Sequence, residues 1–403
     1  MKYIIILGDG MPDYPLEELG GKTPLEYAQT PNIDKLARCG EMGLAKTVPQ
    51  GLPPGSDVAN LSVMGYDPSR YYTGRSPLEA AGMGIEMGSS DLAIRCNLVT
   101  LSEDEPYSGK TMRDYSAGDI DSPQGAVLID EIARLLGNDT LKFYPGVGYR
   151  HLLIWKNGPP SDLFRLTPPH DISGQKITAF LPNGEKGPDL LRLMEKSYVF
   201  LSEHQLNMDR RKKGFAPANS LWLWGQGKKP HLDSFKEKYG IDGAVISAVD
   251  LLKGIGVCAS LEVIEVPGAT GTINTNYAGK VLAALESLQK GMDFIFIHIE
   301  APDEAGHRGE LGTKIEAIET IDAKVVGEML KGLDDFSDYK LLVMADHPTP
   351  LALRTHTHEP VPFCLYRKND LLHSPDLTFS EKTAAKGPYF NPAWRLMDYF
   401  LQR

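Results

Sequence analysis

Three short apolar runs constrain the fold of this chain more than any other feature. YIIILGDG (3–10), DFIFIHIEAPDEAGH (293–307) and YKLLVMADHPTP (339–350) are rich in Ile, Leu, Val and Phe, and each meets a carboxylate where the apolar stretch stops. Continuous apolar stretches of this length are expected of central strands in a parallel sheet covered on both faces. Helical periodicity fills the intervals, in PNIDKLARCG, NTNYAGKVLAALESLQKG and LGTKIEAIETIDAKVVGEMLKGL. Such alternation predicts an α/β layered fold with a mainly parallel sheet.

The middle of the chain follows a different rule. From about Tyr72 to Tyr239 turn residues are denser, and AIRCNLVTLSE, YPGVGYRHLLIW and NSLWLWGQG alternate in the manner of strands. With 403 residues the chain is too long for one ordinary core. The reading is a discontinuous core domain, 1–72 with 240–403, carrying a smaller inserted α+β domain over 73–239.

Composition narrows the function. A formal charge of -11 argues against non-specific nucleic-acid binding, so any anion must be met by arginines or metal ions gathered at one place. The four cysteines, Cys39, Cys96, Cys258 and Cys364, have no paired spacing and predict free thiols in a reducing cytoplasm. YIIIL is five residues long and runs straight into Gly8 and Asp9, so it reads as a buried strand rather than a membrane span or signal segment. No membrane or nucleic-acid partner is expected. A homo-oligomer is compatible with the sequence.

The strand ends carry the chemistry. Asp9, Asp303 and Asp346 gather at the carboxyl ends of the predicted strands, where open α/β sheets bind ligands. Three acids there repel one another unless a cation neutralises them. Asp303 and His307 are four apart, on one side of a helical turn, and can share a metal. Asp346 and His347 are adjacent at a strand end and can serve two different ions; His356 and His358 follow. Mixed carboxylate and imidazole ligands suit manganese, zinc, cobalt or iron better than magnesium alone. Two such ions form a clamp for in-line phosphoryl displacement. In GLPPGSDVANLSVMGYDP, Ser56 opens a short apolar helix predicted over Val58–Met64. A serine there is either an ordinary N-cap or a nucleophile displayed at an anion-binding helix end.

Taken together, GDGMPD, LPPGSDVANLSVMGYDP, IHIEAPDEAGHRG, VMADHPTP and HTHEPVP resemble the cofactor-independent phosphoglycerate mutases of the archaeal type, within the alkaline phosphatase superfamily. The resemblance continues through the insert in GRSPLEAAGMGIEM, RCNLVTL, DYSAGDI, GVGYRHLLIW, PPHDISG and GAVISAVDLLKGIG, so it spans nearly the whole chain. It implies an alkaline-phosphatase-like three-layer α/β/α core with an inserted substrate or transferase domain. It also implies interconversion of 3-phosphoglycerate and 2-phosphoglycerate through phosphoserine at Ser56, without 2,3-bisphosphoglycerate. Two divalent ions are implied, manganese first, with zinc, cobalt or magnesium as alternatives. One would be held by Asp303, His307 and His356, the other by Asp9, Ser56, Asp346 and His347. His356 is preferred to His358 because the family pattern places a histidine four residues before the proline at Pro360.

A small phosphorylated substrate with a carboxylate calls for arginine forks. The expected substrate residues are Arg75, Arg95, Arg150 and Arg210, with Arg211 a further candidate, and with His170 and Asp171 as proton carriers. At Trp224 the chain departs from the family, which usually carries arginine there. Sequences with WLWGQG resemble a branch proposed to act as homoserine kinase, so a homoserine-kinase-like phosphotransferase or a phosphatase is the alternative reading.

Overall fold

The computed structural model describes residues 1–103, 106–370, 372, 374 and 377–402. The chain forms two compact units, one of Met1–Tyr72 with His231–Arg403 and one of Thr73–Pro230. The chain therefore re-enters the first unit at His231, ahead of the position 240 expected from the sequence. The reason is packing: the short helix Phe235–Tyr239 buries Phe235, whose ring stacks on Phe294 at 4.7 Å between centroids.

The first unit is built on an eight-stranded sheet. Its spatial order is Tyr389–Phe390, Glu41–Ala45, Val361–Arg367, Tyr339–Met344, Lys2–Gly8, Phe294–Ile299, Gly243–Ile246 and Glu262–Val263. Val361–Arg367 runs antiparallel to both of its neighbours, and the other pairings are parallel. The three apolar runs are the three adjacent central strands. Phe294–Ile299 and Tyr339–Met344 are buried at every position, as is Lys2–Gly8 after its first residue, because helices cover both faces. Ile4, Ile5, Ile6 and Leu7 have no exposed surface, which stabilises the sheet by about 1.5–3 kcal/mol per side chain. Leu7 pairs with His298 on one side and Met344 on the other, so the three strands end level. That register delivers Asp9, the loop before Asp303, and Asp346 to one edge.

The second unit is a five-stranded antiparallel sheet. Its central strand, Leu92–Leu101, is fully buried and pairs with Arg150–Trp155, Ser220–Lys228 and Met112–Asp114. Leu128, Ile129 and Ile132 of helix Ser122–Leu136 and Leu190, Met194 and Leu201 of helix Gly187–Glu203 join its core. The four cysteines are free, with Cys96 and Cys364 buried and Cys39 and Cys258 half-buried. Among the described residues no helix is long and apolar enough to cross a membrane.

The long helical pattern after the second strand is one continuous element with a widened turn, the π-helix Ile321–Val326 between Leu311–Thr320 and Gly327–Gly332. Its Asp322 is buried and reaches across to helix Pro31–Cys39, accepting hydrogen bonds from Ile33 N at 2.7 Å and from Asn32 N and Nδ2 at 3.3 and 2.9 Å. Thr30, the residue before that helix, makes no side-chain cap, so a distant carboxylate performs the capping. Asp322→Ala is expected to lower stability by about 1–2 kcal/mol, read as a lower urea midpoint at unchanged slope. An unchanged midpoint would show that the helix start needs no external acceptor.

Candidate active site

Backbone geometry at the sheet edge explains the motifs. Asp9 follows the first strand and its N–H still bonds to Ile299 O at 2.9 Å. Gly10 is in the left-handed region, φ 64°, and a Cβ there would lie 2.7 Å from Asp303 Cα. Only glycine lets the two ligand-bearing loops approach so closely. Pro302 sits in the first turn of helix Ala301–Arg308, which sets Asp303 and His307 on one side. Ser56 is the first residue of helix Ser56–Val63, and the N-cap position belongs to Gly55. The serine therefore does not cap the helix as an N-cap residue would. Its Oγ lies 3.1 Å from His347 Nε2 instead.

Two groups of potential ligand atoms lie within 4.8 Å of one another, Asp303 with His347 and His356, and Asp9 with Asp346 and His347. His347 Nε2 borders both, 3.5 Å from Asp9 Oδ1 and 3.3 Å from Asp346 Oδ2. His307 Nε2 is 3.3 Å from Asp303 Oδ2, and His356 Nε2 is 3.4 Å from Asp303 Oδ1. The other ring nitrogens of this pair face main-chain oxygens, His307 Nδ1 at 2.9 Å from Arg354 O and His356 Nδ1 at 3.2 Å from Pro54 O. That leaves the Nε2 atoms converging at 2.9 Å, an arrangement in which both cannot carry a proton. His358 is exposed and lies outside this group.

The electrostatics are uneven across the site. Burial alone would raise the Asp303 carboxyl, but His356 and His307 beside it hold it well below the usual carboxylate range. Burial would likewise lower His307, yet Asp303 overrides it and lifts the imidazole to about 9. Asp9 shows the opposite balance: burial, then repulsion by Asp346, Asp303 and Glu300, pushes it well above its ordinary value. Asp346 is also raised, mainly by burial. Asp9 Oδ1 is buried without a hydrogen-bond partner among the described residues, an orphan acceptor aimed at the Asp346–His347 group. Clustered acids, an orphan oxygen and converging imidazole nitrogens together fit divalent cations with mixed oxygen and nitrogen ligands.

Several residues that position this group carry weaker sequence signals. Asn60, four after Ser56 on the same helix, donates to Asp346 Oδ2 at 2.8 Å and to Ser56 O at 2.9 Å. His298 Nε2 lies 2.9 Å from Asp9 Oδ2, and burial lowers this histidine to about 3, so it acts as a neutral imidazole. Thr349 donates to Asp303 Oδ1, and its hydroxyl is 3.3 Å from His347 Nδ1. The Ser56–Asn60 spacing was a readable sign; a histidine within an apolar strand was not.

In the inserted unit, Arg75 and Arg95 both pair with Oε1 of the buried Glu79, Arg75 Nε at 2.9 Å. Burial would raise Glu79, but Arg95 and Arg75 hold it at about 2. Arg95 also donates to Asn97 Oδ1 at 3.2 Å, shared with Trp224 Nε1 at 3.0 Å, and its Cζ lies 5.5 Å from the Trp224 ring. His170 meets the Trp224 and Tyr115 rings edge-on, Tyr115 meets Tyr149, and Arg150 lies over Tyr149. Arg75, Arg95, Arg150, His170 and Trp224 thus form one basic, aromatic-lined network. Asp171 sits 3.7 Å from His170 on the exposed side. Arg210 is engaged differently. Its guanidinium donates to Ala216 O, Gln124 Oε1 and Ala117 O, so it ties these segments together. Arg211 pairs with Glu103 and Ser202 O.

Comparison with known proteins gives a consistent result. A family described as 2,3-bisphosphoglycerate-independent phosphoglycerate mutase matches residues 37–207. A Geobacter sulfurreducens protein named probable 2,3-bisphosphoglycerate-independent phosphoglycerate mutase is 54% identical over the full length of both chains. A Methanosarcina barkeri mutase of the same name is 50% identical over 96% of each chain. Among solved structures, a Pyrococcus horikoshii protein aligns over 99% of this chain and 97% of its own, with TM-score 0.81 and 30% identity. The cofactor-independent phosphoglycerate mutase of Thermoplasma acidophilum aligns over 100% of this chain and 99% of its own, at TM-score 0.64 and 28% identity.

The raised His307 sets a pH dependence. A cation that binds through His307 displaces the proton this imidazole carries below about 9. Apparent affinity for Mn2+ in calorimetric titration is expected to rise roughly tenfold per pH unit from 7 to 9 and then level off. Affinity independent of pH over that range would remove His307 from the ligand set.

Proposed function

This chain belongs to the 2,3-bisphosphoglycerate-independent phosphoglycerate mutases, and from that membership we propose that it interconverts 3-phosphoglycerate and 2-phosphoglycerate through a phosphoserine at Ser56. The observation that carries the assignment of Ser56 is its placement at the first position of a buried helix, with its hydroxyl 3.1 Å from His347 and beside two groups of metal-type ligands. Asp303, His307 and His356 are the proposed ligands of one divalent ion, and Asp9, Ser56, Asp346 and His347 those of the other. Manganese is the proposed metal, since mixed carboxylate and imidazole donors suit it better than magnesium. Bound there, the ions supply positive charge that acidifies the serine hydroxyl and offsets charge on the transferring phosphoryl group.

The chain's own residues account for the remaining steps. Ser56 Oγ gives up its proton and attacks phosphorus as the bond to the glycerate 3-oxygen breaks, and that oxygen takes up a proton in its place. The 2-hydroxyl then gives up its proton and attacks the phosphoserine; the bond from phosphorus to Ser56 Oγ breaks, and the serine oxygen takes a proton back. The helix dipole at the start of Ser56–Val63 favours the anionic phosphoryl, although the Val58 N–H is already taken by Asp57 Oδ1 at 2.9 Å. Asn60 keeps Asp346 and the serine backbone in register. In the inserted unit Arg75, Arg95 and Arg150 are the proposed grip on the substrate carboxylate, with His170 and Asp171 as proton carriers. Glu79 preorganises two of these guanidiniums and so lowers the entropy lost on binding. Trp224 supplies a stacking surface for Arg95 in place of a further cation. The homoserine-kinase-like alternative finds no support in the relatives that share half of this sequence. The free thiols and the substrate class suit the cytoplasm.

The manganese-loaded protein, given 3-phosphoglycerate without 2,3-bisphosphoglycerate and followed by phosphorus NMR, is expected to form 2-phosphoglycerate with no free phosphate. Ser56→Ala is expected to lower turnover by at least about 1,000-fold while the thermal midpoint stays within a few degrees. Release of inorganic phosphate alone would indicate a phosphatase, and normal turnover in Ser56→Ala would exclude the covalent route.

A further inference from the structure

We propose that the buried ion pair between Asp13 and Lys314 is the positioning device of the candidate metal centre, a reading that rests on the two-ion site proposed above. Neither residue is among the proposed ligands, and both side chains are completely buried. Lys314, on helix Leu311–Thr320, directs its ammonium to Asp13 Oδ2 at 2.7 Å, Thr349 O at 2.8 Å and Pro12 O at 3.3 Å. All three N–H bonds of the ammonium are therefore used. Asp13 in turn accepts from Tyr14 N at 2.8 Å and from Leu351 N at 3.3 and 3.1 Å, one contact to each carboxylate oxygen.

These bonds join the segments that carry the ligands. Asp13 lies four residues after Asp9 on the segment that leaves the first strand, and Thr349 N donates to Pro12 O at 3.3 Å. Thr349 follows His347 and precedes His356, and its hydroxyl contacts both Asp303 and His347. The helix carrying Lys314 directly follows the one carrying Asp303 and His307. One ammonium thus links the Asp9 turn, the 346–356 loop and the Asp303 helix pair at their common base. A fully buried ion pair is seldom the most stabilising choice, because desolvation offsets its attraction and an apolar pair of similar size often folds as well. Its three-way connection is better explained by a need to hold ligand loops in one arrangement, the task that groups behind a metal's ligands perform.

The test compares the wild type with the paired variant Asp13→Leu/Lys314→Met and with the milder Asp13→Asn, all full-length and stripped with chelator. In the wild type two Mn2+ are expected to bind in calorimetry. The variants are expected to bind Mn2+ about 10–100-fold more weakly, with kcat reduced and KM little changed. In the metal-free paired variant, amide hydrogen exchange at Thr349 and Leu351 is expected to accelerate, while the central strands stay protected. Either variant, if folded, binding Mn2+ with wild-type affinity would reduce the pair to a structural role. A wild type that bound no Mn2+ would instead refute the two-ion reading. The exchange comparison in metal-free protein would then decide the positioning role alone, with unchanged protection in a folded variant overturning it.

Discussion

Buried like charge is the constraint on which this structure turns. Asp9, Asp303 and Asp346 are all nearly or wholly shielded from water at the edge of the central sheet. Each is compensated differently. Asp303 has two imidazoles, one of them lifted to about 9 by the carboxylate itself. Asp346 accepts from Gly10 N, His347 N and Asn60 Nδ2. Asp9 has His298 on one oxygen, while the other, 3.5 Å from His347 Nε2, has no hydrogen-bond partner among the described residues. The compensation is complete on one side of His347 and deficient on the other. A site of this kind gains most from cations, and holding it ready requires rigid loops.

The rigidity comes from features outside the site. Level ends on three parallel strands fix the depth at which the acids appear. Gly10 permits an approach between loops that any side chain would block. Lys314 and Asp13 tie the loops from below, and Asp322 caps a helix that its own sequence leaves uncapped. Preorganisation is thereby distributed over groups that are not themselves among the proposed ligands, which is how a site resists relaxing around its own repulsions. The inserted unit uses the same device with the sign reversed. There Glu79 gathers two guanidiniums, and the Trp224 ring supports one of them.

What could be read in the chain followed from local periodicity. The three apolar runs became the three central strands because uninterrupted burial on both faces has no alternative at that length. Asp303 and His307 share a helix side because spacing by four dictates it. Ser56 could be located at a helix start, where its own stretch leaves cap and display open and the family resemblance implies display. Gly55 took the N-cap position and freed the hydroxyl to face His347. Arg210 shows the opposite case. An arginine in a polar segment looks available, and only the folded loops supply the two carbonyls and the glutamine that occupy it.

The sequence by itself determined the strands, the helices between them, the inserted segment and the identity of the acids and imidazoles at the strand ends. Those properties depend on neighbours within a few residues, where side-chain period and backbone preference act directly. Tertiary structure alone decided that His347 borders both groups of potential ligands, that His298 serves Asp9, that Lys314 joins three segments and that the chain returns to its core at His231. Each of these joins groups far apart in the chain. No local pattern encodes such a meeting, because it is set by strand order and register rather than by the residues on either side.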